Sequence, residues 1–349
     1  MSTLFIRTDS TVSIGTGHIM RCIALGQAWQ DRGGQVIFLS RCESETLRER
    51  IIQEGFQFIA IENSHPDPSD LGHMLGIVKQ HKTQNPKPKT WVVLDGYHFT
   101  PEYQKAIRDE GCHLLVIDDM NHLPHYHADI LLNQNIHAPD IKYYCDEDTT
   151  LLLGTQYVLL RRQFLKYRDF KRQIPERAKN IFVTLGGADP DNVTLKVIEA
   201  IKLLNNPNIE VRVVVGPSNL HVAEIKNAMV FAPCPMNCIE NAGNMPDLMV
   251  WADVAISAGG STCWEIVFMG LPVILLVLAG NQQDIAKRLT EAGVALNLGW
   301  FEQVSGLHIV EALSGLLNNR SQRQQMSNSG RTLVDGTGSE KVISGLQEQ

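Results

Sequence analysis

Short apolar runs alternate with stretches of helical spacing along the whole chain. Residues 4–6 (LFI), 35–39 (QVIFL), 56–61 (FQFIAI), 91–94 (WVVL) and 114–117 (LLVI) read as strands. Between them, one helical pattern follows Gly17, runs into Ala24 and Trp29 and stops at Gly33-Gly34. A second covers 43–54 and ends at Gly55; a third, capped by Ser69 or Asp70, reaches His81. The polar segment 83–89, with two prolines, is expected to be a loop, and 133–150 to connect two short strands at 130–132 and 151–153. The unbroken apolar run at 91–94 suits a strand covered on both faces, as in a parallel sheet.

Residues 161–178 (RRQFLKYRDFKRQIPERA) are dense in charge, carry Pro175 and lack a long apolar face, so they read as a linker. The strand–helix alternation then restarts. Strands are expected at 180–185, 210–215, 254–257 and 272–277. Helices are expected up to Leu204 (entered through Pro190 and capped by Asp191 or Asn192), at 223–229, from the turn at 258–262 to Gly270, and up to Glu291. From Gly306 onward two or three amphipathic helices follow, broken at residues 335–338. The pattern predicts an α/β protein with two strand–helix domains, 1–160 and 179–349, joined by the linker. In two-lobed α/β enzymes a last helix can cross back to the first lobe.

Composition narrows the function. The 349 residues suffice for two cores, with 44% hydrophobic and 20% charged residues. A net charge of −7 argues against a general nucleic-acid partner. Seven cysteines without a C-x-x-C pair fit reduced thiols. No signal-peptide pattern opens the chain, and the longest apolar run, 271–279, contains a proline and is too short to span a bilayer. A cytoplasmic monomer without membrane contact is expected.

The chemistry concentrates at strand ends. Residues 4–22 (LFIRTDSTVSIGTGHIMRC) form strand, glycine turn and helix, an order that aims backbone N–H groups and a helix N-terminus at an anion. Gly15 and Gly17 make the turn; His18 follows, with Arg21 on the same helical face. Such a histidine can accept a proton near neutral pH, with Asp9 at the strand end to orient it. The plainer alternative is a surface or capping histidine, because G-x-G without a third glycine is a weak fingerprint. Asp95-Gly96-Tyr97 ends the 91–94 strand, where ligands bind in open α/β sheets, although Tyr97 can equally pack on the next helix. Asp118, Asp119, His122, His125 and His127 could ligate a metal, but their spacing straddles Pro124 and the water-facing loop is preferred; no metal and no cofactor is expected. In the second half, Gly186-Gly187 follows one strand and Gly259-Gly260-Ser261-Thr262 another. The second turn suits a diphosphate, with Glu265 one turn on to take ribose hydroxyls; the alternative is a plain turn with Glu265 facing solvent. Asn281 and Gln282 lie at a third strand end.

Several motifs recur together in the order of a known family. They are R-x-D-x(4)-I-G-x-G-H-x-x-R-C (7–22), D-G-Y (95–97), D-D (118–119), A-D-x-L-L-N-Q-N (128–135), L-G-G-A-D-P-D-N (185–192), S-A-G-G-S-T-C-W-E (257–265), G-L-P (270–272) and N-Q (281–282). On these residues the chain resembles the UDP-2,4-diacetamido-2,4,6-trideoxy-β-L-altropyranose hydrolases of the pseudaminic-acid pathway, over nearly its whole length. The resemblance implies a GT-B architecture, with two Rossmann-like lobes facing across a cleft and UDP held mainly by the C-terminal one. It implies metal-independent hydrolysis: water attacks the anomeric carbon, UDP leaves and the configuration inverts. His18 would activate the water, and Tyr97 and Asn281 would contact the sugar and support the chemistry. Gly259, Gly260, Ser261 and Thr262 would hold the diphosphate, and Glu265 the ribose. Asp9 joins the expected catalytic group; Gly15, Gly17, Arg21, Asp95, Gly186, Gly187 and Gln282 complete the expected substrate contacts. Thr11 stands where the family more often has serine, and Gly280 where it has Glu or Ala. An inverting displacement at an acetal carbon needs a base on the water side and positive dipoles on the departing side, which these two turns would supply. A glycosyltransferase of the same architecture and a non-catalytic nucleotide-sugar binder are the rival readings.

Overall fold

A computed structural model describes residues 2–11, 14–84 and 89–349. The chain forms two compact units, Met1–Arg162 with Thr337–Gln349, and Gln163–Gly336.

The first unit holds seven strands: β1 (Thr3–Thr8), β2 (Gln35–Ser40), β3 (Gln57–Ala60), β4 (Thr90–Asp95), β5 (His113–Ile117), β6 (Ile130–Asn133) and β7 (Thr150–Leu153). All pair in parallel, in the order β3-β2-β1-β4-β5-β6-β7. Side chains alternate between the two faces, and both are dry. Leu4, Ile6, Trp91 and Val93 join one apolar cluster with Ile19, Cys22 and Ile23 of α1 (Gly17–Asp31) and Val342, Ile343 and Leu346 of the C-terminal helix (Gly338–Glu348). Phe5, Val92 and Leu94 join the opposite cluster with Met74 and Val78 of α3 (Pro68–Gln84) and Tyr103 and Ile107 of α4 (Pro101–Asp109). Each such side chain contributes about 1.5–3 kcal/mol by leaving water, so the sheet is fixed from both sides. The helix α2 (Glu45–Gln53) is capped by Ser44, whose hydroxyl accepts from Leu47 N.

The second unit repeats the plan with β8 (Asn180–Thr184), β9 (Glu210–Val215), β10 (Met236–Glu240), β11 (Val254–Ala258), β12 (Val273–Val277) and β13 (Ala295–Trp300). They are parallel, in the order β10-β9-β8-β11-β12-β13. A single turn, α5 (Arg162–Leu165), enters the unit. The other helices are α6 (Val193–Leu203), α7 (Val222–Met229), α8 (Met245–Trp251), α9 (Thr262–Phe268), α10 (Gln283–Glu291), α11 (Gly306–Asn318) and α12 (Arg320–Leu333), and the C-terminal helix is α13. No helix among the described residues is long and apolar enough to cross a membrane.

Several expectations need correction. Residues 163–178 are packed chain of the second unit, not a free linker: the Arg172 guanidinium donates to the carbonyls of Met249 and Ala252 at 2.6 Å each and of Met269 at 3.1 Å. Residues 337–349, counted from sequence in the second domain with a last helix that can cross back to the first, belong to the first unit. The edge strands β10 and β13 were missed because their partly exposed residues make no apolar run. The expected loop at 83–89 begins inside α3, which reaches Gln84; residues 85–88 lie outside the described residues, as do 12 and 13 of the first turn. Asn192 sits in the left-handed region (φ 50°), and the cap of α6 is Asp189, whose carboxylate accepts from Val193 N and Thr194 N at 2.9 Å. Asp70 is not a cap but part of a buried ion cluster.

Candidate active site

In both units the strand order reverses beside the first strand of that unit, at β1/β4 and at β8/β11. The carboxyl ends of strands at such a switch point are where open α/β sheets bind ligands. The sequence places a glycine turn at each.

In the first unit, β1 leads into the turn before α1. Gly15 adopts φ +78°, and its N–H bonds to Thr11 O at 2.8 Å. Thr11 Oγ1 accepts from Ile14 N at 3.2 Å, a bond that serine would make equally. The N-cap, Thr16, gives α1 no side-chain bond, and no acid lies in the first turn. Gly17 opens the helix, and His18 and Arg21 project one turn apart.

Asp95, the last residue of β4, shares strand parity with Trp91 and Val93, so its fully buried carboxylate points to the α1 side of the sheet. There it meets His18 Nδ1 at 2.5 Å. Arg21 forks onto the same carboxylate, Nε and Nη2 each 2.7 Å from an oxygen, and its Nη1 donates to Asp119 Oδ2 at 2.7 Å. Tyr97 donates its hydroxyl to that Asp119 oxygen at 3.0 Å, while Asn135 Nδ2 donates to the other at 2.8 Å. The Tyr97 ring stands edge-on to the imidazole, centroids 5.1 Å apart. Burial alone would raise the Asp95 pKa, yet the charges of Arg21 and His18 and their hydrogen bonds hold it well below the usual carboxylate range. Asp95 is therefore an anion that accepts Nδ1–H from His18. The Arg21 Nη2, 3.1 Å from Nδ1, is then a neighbour and not a second bond. With Nδ1 protonated, the basic nitrogen is Nε2, on a side chain that keeps 11% exposure.

Asp9 does not orient the imidazole. It follows Arg7 by two positions, on the Phe5 face of β1 and away from α1. Arg7, fully buried, pairs with both Asp9 and Asp70, at 2.8 Å from Nη2 to the latter. Arg41 N donates to Asp9 at 2.7 Å, and Tyr103 Oη to Asp70 at 3.3 Å. Burial opposes ionisation of Asp9, but bonds from His98 and Arg7 push its pKa far down. This cluster stiffens the sheet end beneath the turn. Arg21 and Asp95 likewise leave the expected substrate contacts: at 6% and 0% exposure their polar atoms are taken up by each other, by His18 and by Asp119, and Asp119 in turn holds Tyr97. Asp119 was weighed only as a metal ligand, and Asn135 was not singled out; the former is the second residue of the noted D-D, two positions beyond β5, and the latter closes the noted L-N-Q-N motif.

In the second unit the two glycine turns differ. Gly186 (φ +99°) and Gly187 precede α6, whose end is occupied by Asp189. Gly187 also packs backbone to backbone on Gly216, where a Cβ would fall 2.4 Å from Gly187 Cα. Packing thus fixes Gly187, whereas Gly186 is exposed with nothing within 4 Å of its Cβ position. The N-cap of α9, Ser261, makes no side-chain bond to its helix. A Cβ on Gly260 would meet nothing closer than 3.9 Å, whereas one on Gly259 would press on Gln282 at 3.1 Å. Gln282 accepts from Leu278 N through its Oε1 (3.0 Å) and so props the turn, with its Nε2 on the Gly260 side. Glu265 lies 8% exposed in the first turn of α9, not on a solvent face, and Asn281 sits in the 3-10 turn Gly280–Gln282.

Two parallel Rossmann-like sheets of this order are those of the GT-B fold. Residues 180–337 match the Glycosyltransferase family 28 C-terminal domain. The chain superposes on Acinetobacter baumannii MurG with a TM-score of 0.65 over 100% of this chain and 99% of that one, at 14% identity, a likeness of fold. It is 28% identical to a Methanocaldococcus jannaschii protein over 90% of this chain and 66% of that one. It is 25% identical to the spore coat polysaccharide biosynthesis protein SpsG of Bacillus subtilis, over 98% of this chain and 97% of SpsG. To the UDP-2,4-diacetamido-2,4,6-trideoxy-beta-L-altropyranose hydrolase of Campylobacter jejuni it is 26% identical, over 60% of this chain and 72% of the hydrolase.

Proposed function

We propose that the protein hydrolyses a UDP-linked diacetamido-trideoxyhexose, of the kind named in its Campylobacter jejuni relative, to UDP and free sugar. The observation that carries this reading is the His18–Asp95 pair at the switch point of the first unit: a base with its tautomer set, beside an uncapped helix N-terminus. His18 Nε2 takes a proton from water as the oxygen attacks the anomeric carbon. The carbon–oxygen bond to the diphosphate breaks on the opposite side, its electron pair leaves with UDP, and the configuration inverts. The imidazolium formed is stabilised by the ionised Asp95. Backbone N–H groups at Gly259 and Gly260, with the hydroxyls of Ser261 and Thr262, receive the diphosphate charge. Glu265 takes the ribose, and Tyr97 and Asn281 meet the sugar.

Incubation with a panel of UDP-diacetamido-trideoxyhexoses, followed by NMR of the product anomer, tests the reaction. UDP release without any acceptor, with inverted free sugar, is expected; release only when an acceptor sugar is added would favour a glycosyltransferase, which the family 28 match of residues 180–337 also supports. Gly260→Ala is expected to fold normally, since the added methyl meets nothing closer than Gln282 Nε2 at 3.9 Å, an ordinary contact. It should raise the UDP Kd by about tenfold, roughly 1.4 kcal/mol, because the methyl stands where the diphosphate approaches. Calorimetric titration with UDP measures this.

A further inference from the structure

The segment that joins β5 to β6 carries a second cluster, which shares no residue with the site above. Tyr126 forms an isolated parallel bridge with Cys145, tied by Tyr126 N to Tyr144 O at 2.8 Å. In such a pairing alternate side chains face opposite ways. Tyr126 points inward, fully buried, with its hydroxyl on Asp118 at 2.7 Å. His125 and His127 therefore point outward together, and Asp146, the neighbour of Cys145, faces them. The sequence spacing H-x-H is thus a strand spacing, hidden when it is weighed against a helix.

Both imidazoles converge on one oxygen. His125 Nε2 lies 2.8 Å and His127 Nδ1 3.0 Å from Asp146 Oδ1, and the three ligand atoms all fall within 4.8 Å of one another. The other oxygen, Oδ2, accepts from Arg108 Nη1 at 2.7 Å and lies 3.1 Å from His127 Nδ1. Arg108 also donates to Asp148 at 2.8 Å and lies 3.6 Å from Asp129. Three carboxylates thus share one guanidinium, leaving the patch short of positive charge. Arg108 is placed as an outer partner that orients the carboxylate, the arrangement that tunes metal ligands.

We propose that His125, His127 and Asp146 form a site for a divalent transition ion of the Zn²⁺ type, with water completing the coordination. Two imidazoles and one carboxylate suit zinc or cobalt and not magnesium or calcium, which take oxygen. The bound ion clips the 125–127 segment to residue 146. It stands outside the hydrolytic steps proposed above.

The test uses full-length untagged protein, freed of metal by chelator and dialysis, then titrated with Zn²⁺ by calorimetry and with Co²⁺ by visible absorption. One equivalent of each is expected, with Co²⁺ bands of tetrahedral strength, and Zn²⁺ should raise the Tm. The His125→Asn/His127→Asn variant should lose that equivalent, with affinity falling at least about tenfold. His73→Gln, which removes an exposed imidazole from α3, should retain it. His127→Cys keeps a donor at the position, so it should retain the equivalent and add thiolate-to-Co²⁺ absorption even if the double variant folds poorly. Absence of a bound equivalent in the wild-type protein, or equal binding by the double variant, overturns the proposal.

Discussion

His18→Asn is expected to lower kcat for UDP release by roughly 10²–10⁴, the loss that follows removal of a general base. UDP affinity should change little, because the nucleotide contacts are proposed for the second unit. The substitution is a clean one. Asp95 already accepts from Arg21 through both oxygens, so deleting the imidazole does not strand a buried charge. The fold should survive with a cost near that of one charged hydrogen bond, about 1.5–3 kcal/mol. Initial rates of UDP release and a UDP titration on the same preparation separate the two effects. Unchanged turnover would remove His18 as the base, whereas no UDP release by the wild-type protein, with UDP still bound, would sink the hydrolase and leave a nucleotide-sugar binding protein.

The sheets were legible because parallel strands buried on both faces leave unbroken apolar runs: WVVL in β4 and NIFVT in β8 could hardly be anything else. The edge strands β10 and β13 escaped, since half-exposed strands carry no such run. The charged stretch at 161–178 misled for a related reason. Guanidinium groups such as that of Arg172 are buried by capping exposed carbonyl ends of helices and loops, which composition cannot distinguish from solvation. At the candidate site the glycine turn and His18 were readable, but the partner carboxylate was assigned by closeness in sequence. Period-two parity gives the better rule. Asp9 keeps company with Phe5 and Arg7, and Asp95 with Trp91 and Val93 on the helix side. An arginine inside an otherwise apolar first strand was itself a signal, because a buried guanidinium needs carboxylates and Asp9 was the nearest. The contribution of Asp119 and Asn135 depends on β5 and β6 lying side by side, which no local pattern states.

Asp95→Asn is the second change with a large expected effect, and it acts on two quantities at once. The carboxamide has one acceptor oxygen, so Arg21 loses its bidentate ion pair while buried, and breaking such a pair costs about 3–5 kcal/mol. The amide also offers an N–H to His18 Nδ1, which favours the tautomer with the proton on Nε2. The ring then presents no lone pair to water, and kcat should fall by roughly 10²–10⁴ at temperatures where the variant is folded. Because base and orienter act as one unit, the His18→Asn/Asp95→Asn double variant should be hardly slower than either single variant. Independent roles would instead multiply the losses. The pH dependence of stability gives a separate check. The Asp95 pKa is depressed in the folded state, so the folded protein binds fewer protons than the unfolded chain. Its stabilisation is present above the unfolded carboxylate value, near 3.9, and drains away as pH falls toward the folded pKa. Urea unfolding of wild-type and Asp95→Asn proteins should accordingly show a gap that narrows as pH falls below about 4. A gap that persists undiminished into acid would mean that Asp95 is not held as an anion, and with it the assigned tautomer of His18 would fall.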